Sequence, residues 1–108
     1  MSEESELQKL VVPYLRAALR PLKAHVMVIA GNKHCRSIPG WQPGNPDIAV
    51  ILPGRIVGIE LKTRRGVVDP DQLRRHAEWR EAGAEVHVCR SFEAVEALVR
   101  DLHFKRAA

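Results

Sequence analysis

Apolar positions recur at helical spacing over residues 3–22, where Leu7, Val11, Ala18 and Leu22 form a stripe flanked by Tyr14 and Leu15. Pro13 falls inside that pattern and removes one backbone donor, so the pattern predicts a helix kinked or split there. The continuous apolar run 25–30 predicts a first strand. Residues 31–46 are rich in Gly, Pro, Asn and Lys and predict a loop. Residues 47–52 and 55–62 are two further apolar runs separated by Pro53-Gly54, a turn signal, and they pair naturally as an antiparallel hairpin. Asp69-Pro70-Asp71-Gln72 is a helix start, with Asp at the N-cap, Pro at the first helical position and Gln at the third. Gly83 stops that helix after Ala82. Residues 85–89 form a fourth strand, and Ser91 caps a last helix that buries Phe92, Val95, Leu98, Val99 and Leu102. The order is α-β-β-β-α-β-α. The helical crossover between the third and fourth strands predicts that those two run parallel. The fold class is therefore α/β, a mixed four-stranded sheet flanked by helices.

Composition narrows this picture. A chain of 108 residues, 45% apolar and 28% charged, suits one soluble globular domain over residues 1–108. No apolar run is long enough to span a bilayer, and the acidic start Glu3-Glu4-Ser5-Glu6 argues against a secretory signal, so a cytoplasmic location is expected. The net charge of +4 suits a polyanionic partner without requiring one. Cys35 and Cys89 make no disulfide framework and are read as reduced. His34-Cys35 and His87-x-Cys89 match no familiar zinc spacing.

Alternation along the third strand sends Val57, Ile59 and Leu61 to one face and Ile56, Gly58, Glu60 and Lys62 to the other. The first set is purely apolar and belongs to a core. The second ends in a carboxylate and an ammonium, and Gly58 leaves room for a close approach on that face. If Pro53-Gly54 is a two-residue turn, Leu52 pairs with Arg55, and counting back puts Asp47 opposite Glu60 on the same face. Two converging carboxylates suit a hard divalent cation such as Mg²⁺ or Mn²⁺. Lys62 beside them can position or deprotonate a water, or stabilise the charge that develops on phosphorus. Such a set suits phosphodiester hydrolysis. The bland alternative is a solvated Glu60–Lys62 pair, with Asp47 opening its strand.

Pro46-Asp47, twelve intervening residues, then Glu60-Leu61-Lys62 resembles the PD-(D/E)xK nuclease signature. The wider string Gly44-Asn45-Pro46-Asp47-Ile48, Gly58-Ile59-Glu60-Leu61-Lys62-Thr63, Gly66, Gln72 and Gly83 resembles its VRR-NUC branch, the virus-type replication-repair nucleases. The resemblance runs over residues 4–102. It implies a restriction-endonuclease-like core and Mg²⁺- or Mn²⁺-dependent DNA cleavage. It also implies a metal held by Asp47, Glu60 and the Leu61 carbonyl, with Lys62 catalytic. The family places a further Glu on its first helix. Of Glu3, Glu4 and Glu6, helix phasing selects Glu4, which falls on the stripe of Leu7 and Val11. The alternative for Glu4 is a solvated acidic first turn. Gln72 matches a family position near the active site, although the third position of a capping box wants Gln in any case.

Arg64, Arg65, Arg74 and Arg75 follow the catalytic strand and continue onto the next helix, and are read as phosphate contacts. Lys33 and Arg36, in the loop before Asp47, could also meet DNA. Trp41 in that loop either packs or stacks. Family members of this size are similar to homodimers acting on branched DNA such as four-way junctions, and one active site per chain suits a symmetric dimer. Two other functions compete: an inert DNA-binding or assembly module, and an RNA-processing enzyme.

Overall fold

The structure, a computed structural model, describes residues 3–29 and 38–107, with side chains as far as residue 105. Helix α1 (Glu3–Ala18) continues through a short 3₁₀ turn (Arg20–Leu22) into strand β1 (His25–Val28). Strands β2 (Ile48–Leu52) and β3 (Arg55–Leu61) form the hairpin. Helix α2 (Pro70–Glu81) crosses to strand β4 (Glu85–Cys89), and helix α3 (Phe92–Ala107) follows. The sheet order is β1-β2-β3-β4, antiparallel throughout except for the parallel β3–β4 pair.

The expected hairpin register is observed. Leu52 pairs with Arg55 and Ile48 with Ile59, around a turn in which Gly54 takes φ +72°. That left-handed position is why a glycine follows Pro53. The sheet separates two layers of helix. Val57, Ile59 and Leu61 are buried with Ile48 and Val50 against Val11, Leu15 and Leu19 of the first helical segment and Val95, Val99 and Leu102 of α3. The Tyr14 and Phe92 rings meet at 4.9 Å between α1 and α3. A ring nitrogen of His103 donates to the Ala18 carbonyl at 2.8 Å, satisfying an end of α1 that has no partner within the helix. The opposite face of β3, carrying Gly58 and Glu60, lies under α2.

Helix α1 departs from expectation at Pro13. It is not split: the helix runs unbroken through Pro13, whose ring is exposed to solvent. One missing backbone bond on the outer face is outweighed by the inner face, where Val11, Val12 and Leu15 are buried. At the start of α2 the capping box forms: the Gln72 amide donates to Asp69 Oδ1 at 2.9 Å, and the Asp69 amide to Gln72 Oε1 at 3.0 Å. Ser91 Oγ likewise accepts from the Ala94 amide at the start of α3.

Candidate active site

Asp47 stands at the entrance to β2, held from two sides. Its carbonyl accepts the Ile29 amide at 2.8 Å, and its Oδ2 accepts the Leu61 amide at 2.7 Å. The second bond ties the carboxylate to β3 beside Glu60, as the register requires. The loop leading into Asp47 is fastened to α2. Trp79 Nε1 donates to Asn45 Oδ1 at 3.1 Å, and Arg75 Nε donates to the Pro43 carbonyl at 3.1 Å. Gly44, at φ +85°, presses on the start of α2 so closely that a Cβ there would lie 2.4 Å from the Asp71 carbonyl oxygen. Gly58 admits this packing from below, since a Cβ on it would meet Pro46 at 2.8 Å and the Trp79 ring at 3.0 Å.

Glu60 is 1% exposed, beneath α2. Its Oε2 accepts from Gln72 Nε2 at 3.2 Å and lies 3.9 Å from Lys62 Nζ, which is also 3.9 Å from Glu4 Oε1. Gln72 therefore fills both roles open to it. The amide oxygen completes the cap while the amide nitrogen reaches the site, because one side chain carries an acceptor and two donors. Together Glu4, Asp47, Glu60, Leu61, Lys62 and Gln72 line one small polar cavity of about 210 Å³, joined by Ser5 and Gln8 from α1. Gln8 sits one turn after Glu4, so the spacing that selects Glu4 also marks Gln8.

Burial raises the Glu60 carboxyl to about 8, reinforced by the charge of Asp47, a hydrogen bond with it and the charge of Glu4, while Lys62 opposes the rise. Two carboxylates this close cannot both stay ionised without a counter-charge. The donor set fits a hard divalent cation. Glu60 Oε2 and the Asp47 carboxylate meet at one cavity, and the two acids stand beside the Leu61 main chain. Glu4 completes this less closely than the resemblance implies. Its carboxylate is 44% exposed and faces Lys62, and no three acidic, imidazole or thiol side chains converge among the described residues. Two carboxylates, a carbonyl and water suffice for Mg²⁺, which sheds its hydration reluctantly.

The arginines divide. Arg64 and Arg65 are exposed in the loop after β3 and make no hydrogen bond or ion pair among the described residues, while Arg90 donates to the carbonyls of Thr63 (2.9 Å) and Gly66 (2.5 Å) and so fixes that loop. Arg74 is paired with Asp71 at 2.6 Å. Arg75 is largely covered, engaged by Glu78 and the Pro43 carbonyl. Its reading as a free phosphate contact gives way to a structural one. Lys33 and Arg36, with His34 and Cys35, lie outside the described residues. Cys89 is a free thiol, buried and pushed upward by that burial. Trp41 is half-buried in the loop and packs, its indole nitrogen covered. Sequence reasoning missed His76, 2% exposed on α2, with Nε2 3.3 Å from Glu60 Oε1. Burial first and Arg80 second lower its pKa. The missed signal is its place four residues after Gln72, one turn along the same face.

No family model and no curated protein matches the chain. Solved structures do. One described as "VRR_NUC domain" is 31% identical, with a TM-score of 0.66, over 93% of this chain and 97% of its own. Another, described as "VRR_NUC domain protein", is 19% identical with a TM-score of 0.70, over 90% of this chain and 84% of its own, and bears on the fold alone.

Proposed function

The chain belongs to the VRR_NUC domain family, and from that premise we propose that it is a Mg²⁺- or Mn²⁺-dependent DNA endonuclease that acts as a homodimer on branched DNA such as four-way junctions. The observation that carries this reading is the convergence of Asp47, Glu60 and Lys62 in one polar cavity, with Glu60 Oε2 turned into it between Gln72 and Lys62. Asp47, Glu60 and the Leu61 carbonyl would hold the cation, which supplies charge to a scissile phosphate and acidity to a water. Glu60 would hold the cation as the carboxylate, its proton passing to solvent. Lys62 Nζ, held between Glu4 and Glu60, orients the attacking water and offsets the negative charge that grows on the phosphoryl oxygens. Gln72 keeps Glu60 Oε2 turned into the cavity. Arg64 and Arg65, exposed and unengaged among the described residues, contact the DNA backbone beside it. A second copy related by a two-fold axis supplies the second cut of a duplex or junction. Among the described residues no helix is long and apolar enough to cross a membrane, and DNA in the cytoplasm is the proposed substrate.

The test is cleavage of linear, flap and four-way-junction DNA, and of matched RNA, in Mn²⁺ or Mg²⁺, beside Asp47→Ala and Lys62→Ala. Wild type should cut branched DNA and both variants should lose about 10²-fold or more of the rate. Equal cutting by all three proteins would sink the nuclease reading. Binding without cutting would turn the domain into an inert module, and preference for RNA would change the substrate.

A further inference from the structure

Glu60 and His76 are the two buried charged or polar residues of the described core, and they face one another. His76 Nε2 lies 3.3 Å from Glu60 Oε1, and neither atom has a hydrogen-bond partner among the described residues. They stand at hydrogen-bonding separation without its alignment, so a small turn of either group closes the bond. In a dry interior an unsatisfied donor and an unsatisfied acceptor at this distance are each other's natural partners. The two oxygens of Glu60 point different ways. Oε2 faces the cavity, where Gln72 and Lys62 meet it, and Oε1 faces back into α2, where His76 waits outside the cavity wall. Gln72 and His76 are one helical turn apart, so a single rigid helix reaches both ends of the same carboxylate.

We propose that His76 is a positioning residue of the nuclease centre: its Nε2–H donates to Glu60 Oε1 and fixes the plane of the carboxylate, so that Oε2 is presented to a divalent cation beside Asp47. This rests on the reading of the cavity as a cation site. The competing role is packing alone, a ring that fills space under α2. The two roles separate because an outer partner of a metal-binding carboxylate governs affinity for the ion, commonly by 10–100-fold, whereas a space-filling ring does not.

The experiment titrates Mn²⁺ alone into the full chain without DNA and counts free Mn²⁺ by electron paramagnetic resonance. It compares wild type, Asp47→Asn, His76→Phe, His76→Met and His76→Gln, each checked for folding by circular dichroism. Phe keeps a ring and loses the donor, Met gives a flexible donor-free alternative should Phe not fit, and Gln restores an N–H. The expected result is Mn²⁺ binding weakened about 10-fold or more in the folded donor-free variant and recovered in His76→Gln. Cleavage should follow in the same sense: the Mn²⁺ concentration for half-maximal rate rises, while the rate at saturating Mn²⁺ returns toward wild type. Equal Mn²⁺ affinity in donor-free and donor-bearing variants overturns the proposal and leaves the cation site standing. Wild type that binds no better than Asp47→Asn removes the cation site, and the proposal with it.

Discussion

Replacing Glu60 by Gln should make the metal-free protein more stable, and increasingly so as pH rises. In the unfolded chain this carboxyl ionises near 4.5, whereas in the folded protein it keeps its proton to about 8, chiefly through burial. Between those values the folded state binds more protons than the unfolded one, so stability falls as pH rises through the window. A displacement of that size corresponds to about 4–5 kcal/mol, a large share of the roughly 5–15 kcal/mol that holds a domain folded. Glu60 is 1% exposed, so solvent screening takes little of this away. Glu60→Gln keeps the shape and has no proton to exchange. The assay is thermal unfolding of both proteins in EDTA at pH 5 and pH 8. Acids remote from Glu60 are common to the two proteins and cancel in the comparison. At about 4 °C per kcal/mol for a domain of this size, the variant should gain on the order of 15 °C relative to wild type between pH 5 and pH 8. Adding Mn²⁺ at pH 8 should return most of that deficit to wild type and none to the variant. Parallel melting profiles at both pH values would refute the burial argument.

Gly58→Ala should lower stability by about 1–3 kcal/mol in urea unfolding, because its Cβ meets two rings, Pro46 at 2.8 Å and Trp79 at 3.0 Å. Gln72→Ala removes half of the capping box together with the bond to Glu60 Oε2. It should cost about 1 kcal/mol in the same assay and slow cleavage as well. Arg64→Ala and Arg65→Ala should each reduce the slope of log DNA affinity against log salt by about 0.9. Arg75→Ala should leave that slope unchanged and lower the melting temperature instead, since Arg75 is engaged by Pro43 and Glu78.

The hairpin and what hangs on it are legible in the sequence because the information is local. Pro53-Gly54 sets the turn, the turn sets the register, and the register sets Asp47 opposite Glu60. The caps at Asp69 and Ser91 are legible for the same reason. Helix α1 is less so. Its fully covered residues are Val11, Val12 and Leu15, with Leu7, Tyr14 and Ala18 only partly covered, because the sheet and α3, distant in sequence, decide which face is covered. His76 is illegible locally. Helix α2 buries no apolar stripe, and a histidine among arginines and glutamates reads as a solvated residue until β3 is laid beneath it. Trp79 is hidden similarly, since its partner Asn45 lies 34 residues away. The arginines show the reverse failure: charge alone does not distinguish Arg65, which is exposed, from Arg75, which is bound within the fold.

The most direct measurement is anomalous diffraction from crystals of the wild-type protein soaked in Mn²⁺. One anomalous peak is expected between Asp47 and Glu60, about 2–2.5 Å from a carboxylate oxygen of each, and absent from Asp47→Asn crystals treated alike. An empty position between the two carboxylates at saturating Mn²⁺, or a peak seated elsewhere on the chain, would contradict the assignment of Asp47, Glu60 and Lys62 as a metal-dependent catalytic centre.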